Sequence, residues 1–177
     1  MSNKAQSKTV GVIGLGIMGG AMAEALLAAG YKVCGYDPSS AAQRRFKKAG
    51  GKLLGSAAAV ARNANVVIMS LATVRALKAV TDEVAAAKSA RKPIVIETST
   101  LTLDDKGRAQ QALARAGAQI LDCPVSGTAV RMKSGGWTIF ASGARAATNS
   151  TRTGLSKCSG RNSPAGSQNR GDNASNF

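Results

Sequence analysis

The stretch Thr9-Val-Gly-Val-Ile-Gly-Leu-Gly-Ile-Met-Gly19 decides how the rest of the chain is read. Thr9 to Ile13 is short and rich in β-branched residues, the composition of a strand. It runs directly into Gly14-x-Gly16-x-x-Gly19 and then into Ala-rich helical sequence. Strand, glycine turn and helix in that order are the context in which this spacing binds a dinucleotide. Each glycine has a separate task. Gly14 permits the tight turn, Gly16 has no Cβ and lets the backbone approach a pyrophosphate, and Gly19 lets the helix pack closely on the strand. The phosphates then sit on unpaired N–H groups at the helix N-terminus, so Leu15, Ile17 and Met18 belong to the same candidate cofactor-binding loop.

Working outward, the next elements follow at the expected spacing. Residues 17–29 carry a helix pattern that Gly30 stops, and residues 31–36 form a second strand ending at Asp37, 18 residues beyond Gly19. That is close to the distance at which a carboxylate accepts hydrogen bonds from the adenosine ribose hydroxyls. Such a carboxylate repels a 2′-phosphate, which favours NAD and leaves NADP as the second possibility. The structural alternative for Asp37 is a helix N-cap beside Pro38. Further strands at 52–54, 65–71, 93–97 and 119–122 alternate with helical stretches at 39–49, 56–62, 73–88 and 102–116. Continuous apolar runs such as Val66-Val67-Ile68-Met69 imply burial on both faces. The expected fold is therefore a doubly wound, Rossmann-like α/β domain with a parallel sheet. Ligands bind such sheets at the carboxyl ends of the strands, which gathers the loops at Gly14, at Asp37, at Leu71, Ala72 and Thr73, at Thr98 to Thr100, and at Cys123 to Thr128 around one crevice.

The 177 residues, 44% hydrophobic, suffice for one core. No apolar run approaches the ~18 residues of a membrane span, and residues 1–8 are polar without the apolar region of a signal peptide, so a cytoplasmic protein without membrane contact is expected. Cys34, Cys123 and Cys158 are odd in number and far apart, and there is no histidine, which supports neither a zinc site nor a disulfide framework. The lack of histidine also removes any His-based triad or general base. Cys123, beside the crevice, reads either as a reactive thiol or as a plain buried one, the commoner case. The net charge of +15 raises nucleic-acid binding as a rival function. The cations are scattered, however, with Arg44, Arg45, Lys47 and Lys48 the densest group, and aromatics for base stacking make up only 3%. A solvated basic face that attracts a polyanionic cofactor accounts for the charge, so nucleic acid is the lesser reading.

Three segments together resemble one family. Val10-Gly-Val-Ile-Gly-Leu-Gly-Ile-Met-Gly19, Glu97-Thr-Ser-Thr100, and Leu121-Asp-Cys-Pro-Val-Ser-Gly127 followed by Gly135-Gly-Trp-Thr-Ile-Phe-Ala-Ser-Gly143 resemble the N-terminal cofactor domain of the β-hydroxyacid dehydrogenases, the family of 3-hydroxyisobutyrate, tartronate semialdehyde and 6-phosphogluconate dehydrogenases. The resemblance implies an NAD(P)-dependent oxidoreductase that moves a hydride between nicotinamide and a small 3-hydroxy acid, in a family that forms homo-oligomers. It implies that Ser99 and Thr100 lie next to the nicotinamide half of the cofactor, and that Ser126 and Gly127, with Thr128, grip the substrate carboxylate or hydroxyl. Taken by themselves, Pro124 to Gly127 read as a turn and Ser99 with Thr100 as a helix N-cap near Leu101.

Two departures stand out. Many relatives carry a second glycine where this chain has Thr128. The family's general base is a lysine in a Gly-x-x-x-Lys-x-x-Asn setting on a long helix after the cofactor domain. Lys157 has Gly160 in place of the Asn, sits in non-helical sequence and follows Ser126 too soon, so no catalytic residue is assigned. From Ala146 to Phe177 the chain has a single Leu and no Val, Ile or Met. Disorder is expected there, with 1–8 a polar lead, 9–145 the dinucleotide-binding domain and 146–177 a tail of the kind a truncation or frameshift produces. A cofactor-binding module without catalysis is the second functional reading.

Overall fold

The computed structural model describes residues 9–90, 92–130, 138, 139 and 142. The expected polar lead, the expected disordered tail, Lys157 and Cys158 lie outside them. Six strands, β1 (Thr9–Ile13), β2 (Lys32–Tyr36), β3 (Lys52–Leu53), β4 (Val66–Met69), β5 (Ile94–Glu97) and β6 (Gln119–Asp122), alternate with helices α1 (Ile17–Ala28), α2 (Ser40–Lys48), α3 (Ala57–Asn63), α4 (Val74–Ala86) and α5 (Leu103–Arg115). The strands form one sheet in the order β3-β2-β1-β4-β5-β6, and every pairing in it is parallel.

The apolar strands explain the layering. In β1, Val10 and Val12 pack on one face with Met22 and Leu26 of α1 and Phe46 of α2, while Ile13 packs on the other with Val60 of α3 and Leu77 of α4. In β4, Ile68 joins the first cluster and Val67 and Met69 the second; in β5, Ile96 and Val95 divide the same way. Side chains alternate across a strand, so a run with no polar interruption needs a helical layer on each side. Burying each Val, Leu or Ile contributes about 1.5–3 kcal/mol, which makes this two-sided core the main stabilising feature.

Helix ends follow local rules. Gly30, at φ +84, ends α1 by directing its N–H to Leu27 O (3.0 Å) and that of Tyr31 to Leu26 O (3.1 Å). The strand expected at 65–71 is shorter because the chain leaves the ladder after Met69. The Ser70 N–H reaches across to Ile13 O at 3.0 Å, starting the turn that faces the glycine loop. One element was not legible as a strand. Val125–Ser126 (β7) pairs antiparallel with Thr138–Ile139 (β8), and Asp122 exchanges both backbone hydrogen bonds with Ser142 at 3.0 and 2.9 Å. The chain order runs β1, β2, β3 to one side and returns to β4 beside β1, so a crevice opens at the carboxyl ends of β1 and β4.

Candidate cofactor-binding site

The three glycines of the turn are glycine for different reasons. Gly14 has φ +87, where L side chains are strained, and a Cβ on it would stand 2.2 Å from the Ser70 carbonyl oxygen. At Gly19 a Cβ would stand 1.8 Å from the Gly14 carbonyl oxygen. Both contacts are with backbone, so the fold itself excludes a side chain. Gly16 is unlike them: its φ of −63 lies outside the left-handed region that favours glycine, and a Cβ there would meet no atom within 4 Å. No packing contact inside the protein calls for glycine at 16. A group approaching the backbone from outside would, and a pyrophosphate is a group of that kind.

The start of α1 has the complementary property. Ser39, Ser56, Thr73 and Thr102 cap α2, α3, α4 and α5 with their hydroxyls, whereas α1 starts at Gly16 with no side-chain cap and no acidic residue in its first turn. Its first N–H groups are left for a ligand, at the end of the helix where the dipole favours an anion. Gly16 and Ile17 are exposed, while Leu15 is buried and Met18 half-buried against the core. A cavity of about 290 Å³ lies alongside, lined by Gly16, Ile17, Gly20 and Ala129 and by Arg45 and Phe46 of α2. Arg45 adds a cation to that wall.

Asp37 sits at the tip of β2, 9% exposed. Its Oδ2 accepts from the Leu15 N–H at 2.6 Å and its Oδ1 from the Ser39 N–H at 2.7 Å. The carboxylate thus clamps the glycine loop to the following turn. It does not cap α2, because Ser39 does, accepting from Ala42 N–H at 3.4 Å. Each carboxylate oxygen has a further lone pair, so clamping leaves capacity to accept from a ligand hydroxyl.

The inner half of the crevice is built by the loops after β4 and β5. Ser99 is 5% exposed; its hydroxyl accepts from the Leu71 N–H at 2.9 Å, and its own N–H donates to Glu97 Oε1 at 2.7 Å. Ala72, Thr73 and Thr100 are exposed, and Thr73 caps α4. The residue expected to cap the helix after this loop is displaced by one turn: α5 starts at Leu103 under Thr102, so neither Ser99 nor Thr100 serves as a cap.

Sequence reasoning missed one cluster entirely. Glu97 and Asp122 are register partners on β5 and β6, which sets two carboxylates side by side at the ends of apolar strands. Lys106 of α5 lies between them, 3.1 Å from Glu97 Oε2 and 2.6 Å from Asp122 Oδ1. Desolvation would lower the lysine's pKa, but its contacts with Asp122 and Glu97 outweigh burial and raise it above the ordinary value. The visible signal was two acids ending adjacent strands; which cation would join them was not readable from spacing.

Cys123 is fully buried. Burial first, then the Asp122 and Glu97 charges, push its thiol up to about 12, so it is the plain buried thiol and not a nucleophile. Beyond it, Ser126, Gly127 and Thr128 are exposed where the chain leaves β7. Gly127 holds φ +143, a value glycine adopts freely. Among the described residues no helix is long and apolar enough to cross a membrane, and no group of His, Cys, Asp and Glu could hold a metal ion.

The fold and the glycine loop have clear counterparts. A family model for the NAD-binding domain of 6-phosphogluconate dehydrogenase matches residues 9–166. L-threonate dehydrogenase of Cupriavidus necator is 35% identical over 139 residues, 77% of this chain and 47% of that one. Human mitochondrial 3-hydroxyisobutyrate dehydrogenase is 34% identical over 145 residues, 80% of this chain and 43% of that one. The solved structure of Mycobacterium tuberculosis 3-hydroxyisobutyrate dehydrogenase with L-serine superposes with a TM-score of 0.82 at 27% identity, covering 87% of this chain and 53% of that one. The chain thus spans about half the length of the curated relatives it matches. With mitochondrial proteins among them, the relatives do not assign the cytoplasm expected from the sequence. On a family match that spans most of the chain and on the fold, this protein belongs to the family of NAD-binding domains of 6-phosphogluconate dehydrogenase, with 3-hydroxyisobutyrate dehydrogenases among its relatives.

Proposed function

We propose that residues 9–145 form the cofactor-holding half of an oxidoreductase acting on small 3-hydroxy acids, with NAD preferred to NADP, and that the 177-residue chain by itself binds cofactor without turnover. The observation that carries this reading is Gly16: an exposed position with ordinary φ and open space where a Cβ would stand, at the start of the one helix among those described that no side chain caps. The pyrophosphate is assigned to the N–H groups of residues 16–19; Leu15, expected to join them, gives its N–H to Asp37 and lines the loop instead. Asp37 is assigned to the adenosine ribose, and Leu71, Ala72, Thr73, Ser99 and Thr100 to the nicotinamide half.

A nicotinamide held by these residues would supply the hydride acceptor. The chain's own residues have the remaining work of holding the substrate and taking its hydroxyl proton. Ser126, Gly127 and Thr128 suit the first task, since an exposed hydroxyl and the N–H groups of a turn are donors to a carboxylate. For the second, the described residues offer no suitable base. The chain has no histidine, and Lys106 is held protonated by two carboxylates. A positioned base typically contributes about a hundred- to ten-thousand-fold in rate.

The test is NADH formation followed at 340 nm over a panel of small 3-hydroxy acids, L-threonate and 3-hydroxyisobutyrate included, with NADH binding measured on the same preparation. Binding without appreciable turnover is the expected result. Robust turnover that disappears in Lys157→Ala would overturn the inactivity and assign the base to a residue beyond those described.

A further inference from the structure

The two halves of the crevice are held by different means. The pyrophosphate half is held by backbone packing of Gly14 against Gly19 and by Asp37. The inner half, resting on the cofactor reading above, is held by a relay that begins with an ion pair to a nearly buried cation and continues through hydrogen bonds. Lys106, its side chain 12% exposed, joins Glu97 at 3.1 Å and Asp122 at 2.6 Å. Glu97, 1% exposed, uses its other oxygen to hold the Ser99 N–H at 2.7 Å, and the Ser99 hydroxyl holds the Leu71 N–H at 2.9 Å. The Glu97 carbonyl accepts from Cys123 N–H at 2.8 Å, which ties in the start of the segment leading to Ser126.

We propose that Lys106 is a positioning residue for the nicotinamide half of the site, setting through Glu97 and Ser99 where the loops after β4, β5 and β6 present their backbone. Electrostatics makes the arrangement directional. Two carboxylates on adjacent strands repel, and Lys106 is the only cation paired with Glu97 among the described residues. Without it the buried Glu97 is either unpaired or neutralised, and a neutral Glu97 is a weaker acceptor for the Ser99 N–H. The Ser99 hydroxyl then loses the constraint that fixes it on Leu71. Leu71 packs near Gly14, but among the described residues no hydrogen bond joins the relay to Gly16 or Asp37, so its loss is felt chiefly at one end of a dinucleotide.

The experiment compares two ligands that share the adenosine and pyrophosphate. NADH and ADP-ribose are titrated calorimetrically into the wild-type chain, Lys106→Met, Lys106→Arg and the charge-neutral pair Glu97→Gln/Lys106→Met. The last is included because the single methionine variant, with an uncompensated acid, is the one most prone to misfold; removing both charges avoids that. The expected result is that Lys106→Met and the double variant bind NADH about tenfold more weakly, the effect of one displaced charge-assisted hydrogen bond, while ADP-ribose affinity stays within about twofold. Lys106→Arg, which keeps the cation, recovers most of the loss. A merely structural lysine would move both ligands together. Equal losses for NADH and ADP-ribose, or no loss for either in a folded double variant, overturn the positioning role and leave the cofactor reading standing. Failure of the wild-type chain to bind ADP-ribose removes the cofactor reading and the positioning role with it.

Discussion

Valine at position 16 separates the two reasons for which a glycine turn carries glycines. For the fold, the substitution is mild. Gly16 has φ −63, the added atoms start in a space with nothing within 4 Å, and what is lost is the preference for glycine over a β-branched residue at an N-cap, on the order of 1 kcal/mol. In a chain of this size that corresponds to roughly 2–4 °C in Tm. Gly19→Ala is the contrasting case. Its single added carbon would fall 1.8 Å from the Gly14 carbonyl oxygen, and Gly14 cannot retreat freely because its N–H is bound to Tyr36 O at 2.9 Å. Overpacking of that kind costs about 1–3 kcal/mol and more where backbone has to move. For the ligand, the order reverses in kind. An isopropyl group on residue 16 stands where the pyrophosphate approaches, and each hydrogen bond lost from an ionised acceptor, about 1.5–3 kcal/mol, weakens binding by about tenfold to a hundredfold. Thermal unfolding and calorimetric NADH titration on the same samples are the assay. The expected pattern is a folded Gly16→Val with NADH affinity reduced at least about tenfold, and a clearly destabilised Gly19→Ala. A folded Gly16→Val that binds NADH like the wild type would remove the ligand explanation of Gly16. A Gly16→Val as unstable as Gly19→Ala would refute the packing argument.

Two further outcomes follow from the same geometry. NADH should bind at least about tenfold more tightly than NADPH, because the nearly buried Asp37 carboxylate faces any 2′-phosphate, and Asp37→Asn should narrow the gap; tighter NADPH binding by the wild type contradicts the ribose assignment. Cys34 and Cys123 should be silent towards a disulfide reagent at pH 8 in the native chain, with all three thiols reacting in denaturant, since both are buried and both have raised pKa values. The sign for stability is fixed by the same shift. The unfolded chain loses the Cys123 proton near the ordinary 9.0 while the fold retains it to about 12, so ionisation favours unfolding over that window and the Tm should fall as pH rises through it. A Tm that stays level from pH 9 to 12, or two fast native thiols, is incompatible with a buried Cys123.

Most of the architecture was readable because its determinants are local. A β-branched run meeting Gly14 at Ile13, a Gly30 that closes α1, and unbroken apolar strands such as Val66–Met69 specify a parallel sheet with helices on both faces before any long-range contact is known. Strand and helix centres were right, and the differences fell at element ends. The strand after Asn65 stops at Met69, with the Ser70 N–H still bonded across to Ile13 O, and α5 begins at Leu103 under a local cap, Thr102, in place of Ser99 or Thr100.

By itself, then, the amino-acid order determined the fold class, the glycine turn and the candidate acid at the end of β2, all consequences of chain-local patterns. Tertiary structure alone decided which of those groups are spoken for. It turned Asp37 into a clamp on Leu15 and Ser39, showed that Gly14 and Gly19 face backbone while Gly16 faces open space, and paired Val125–Ser126 with Thr138–Ile139. It also brought Lys106 between Glu97 and Asp122. These three residues are distant in sequence and share no spacing rule, because their meeting depends on the register of two neighbouring strands and on the way α5 packs across them.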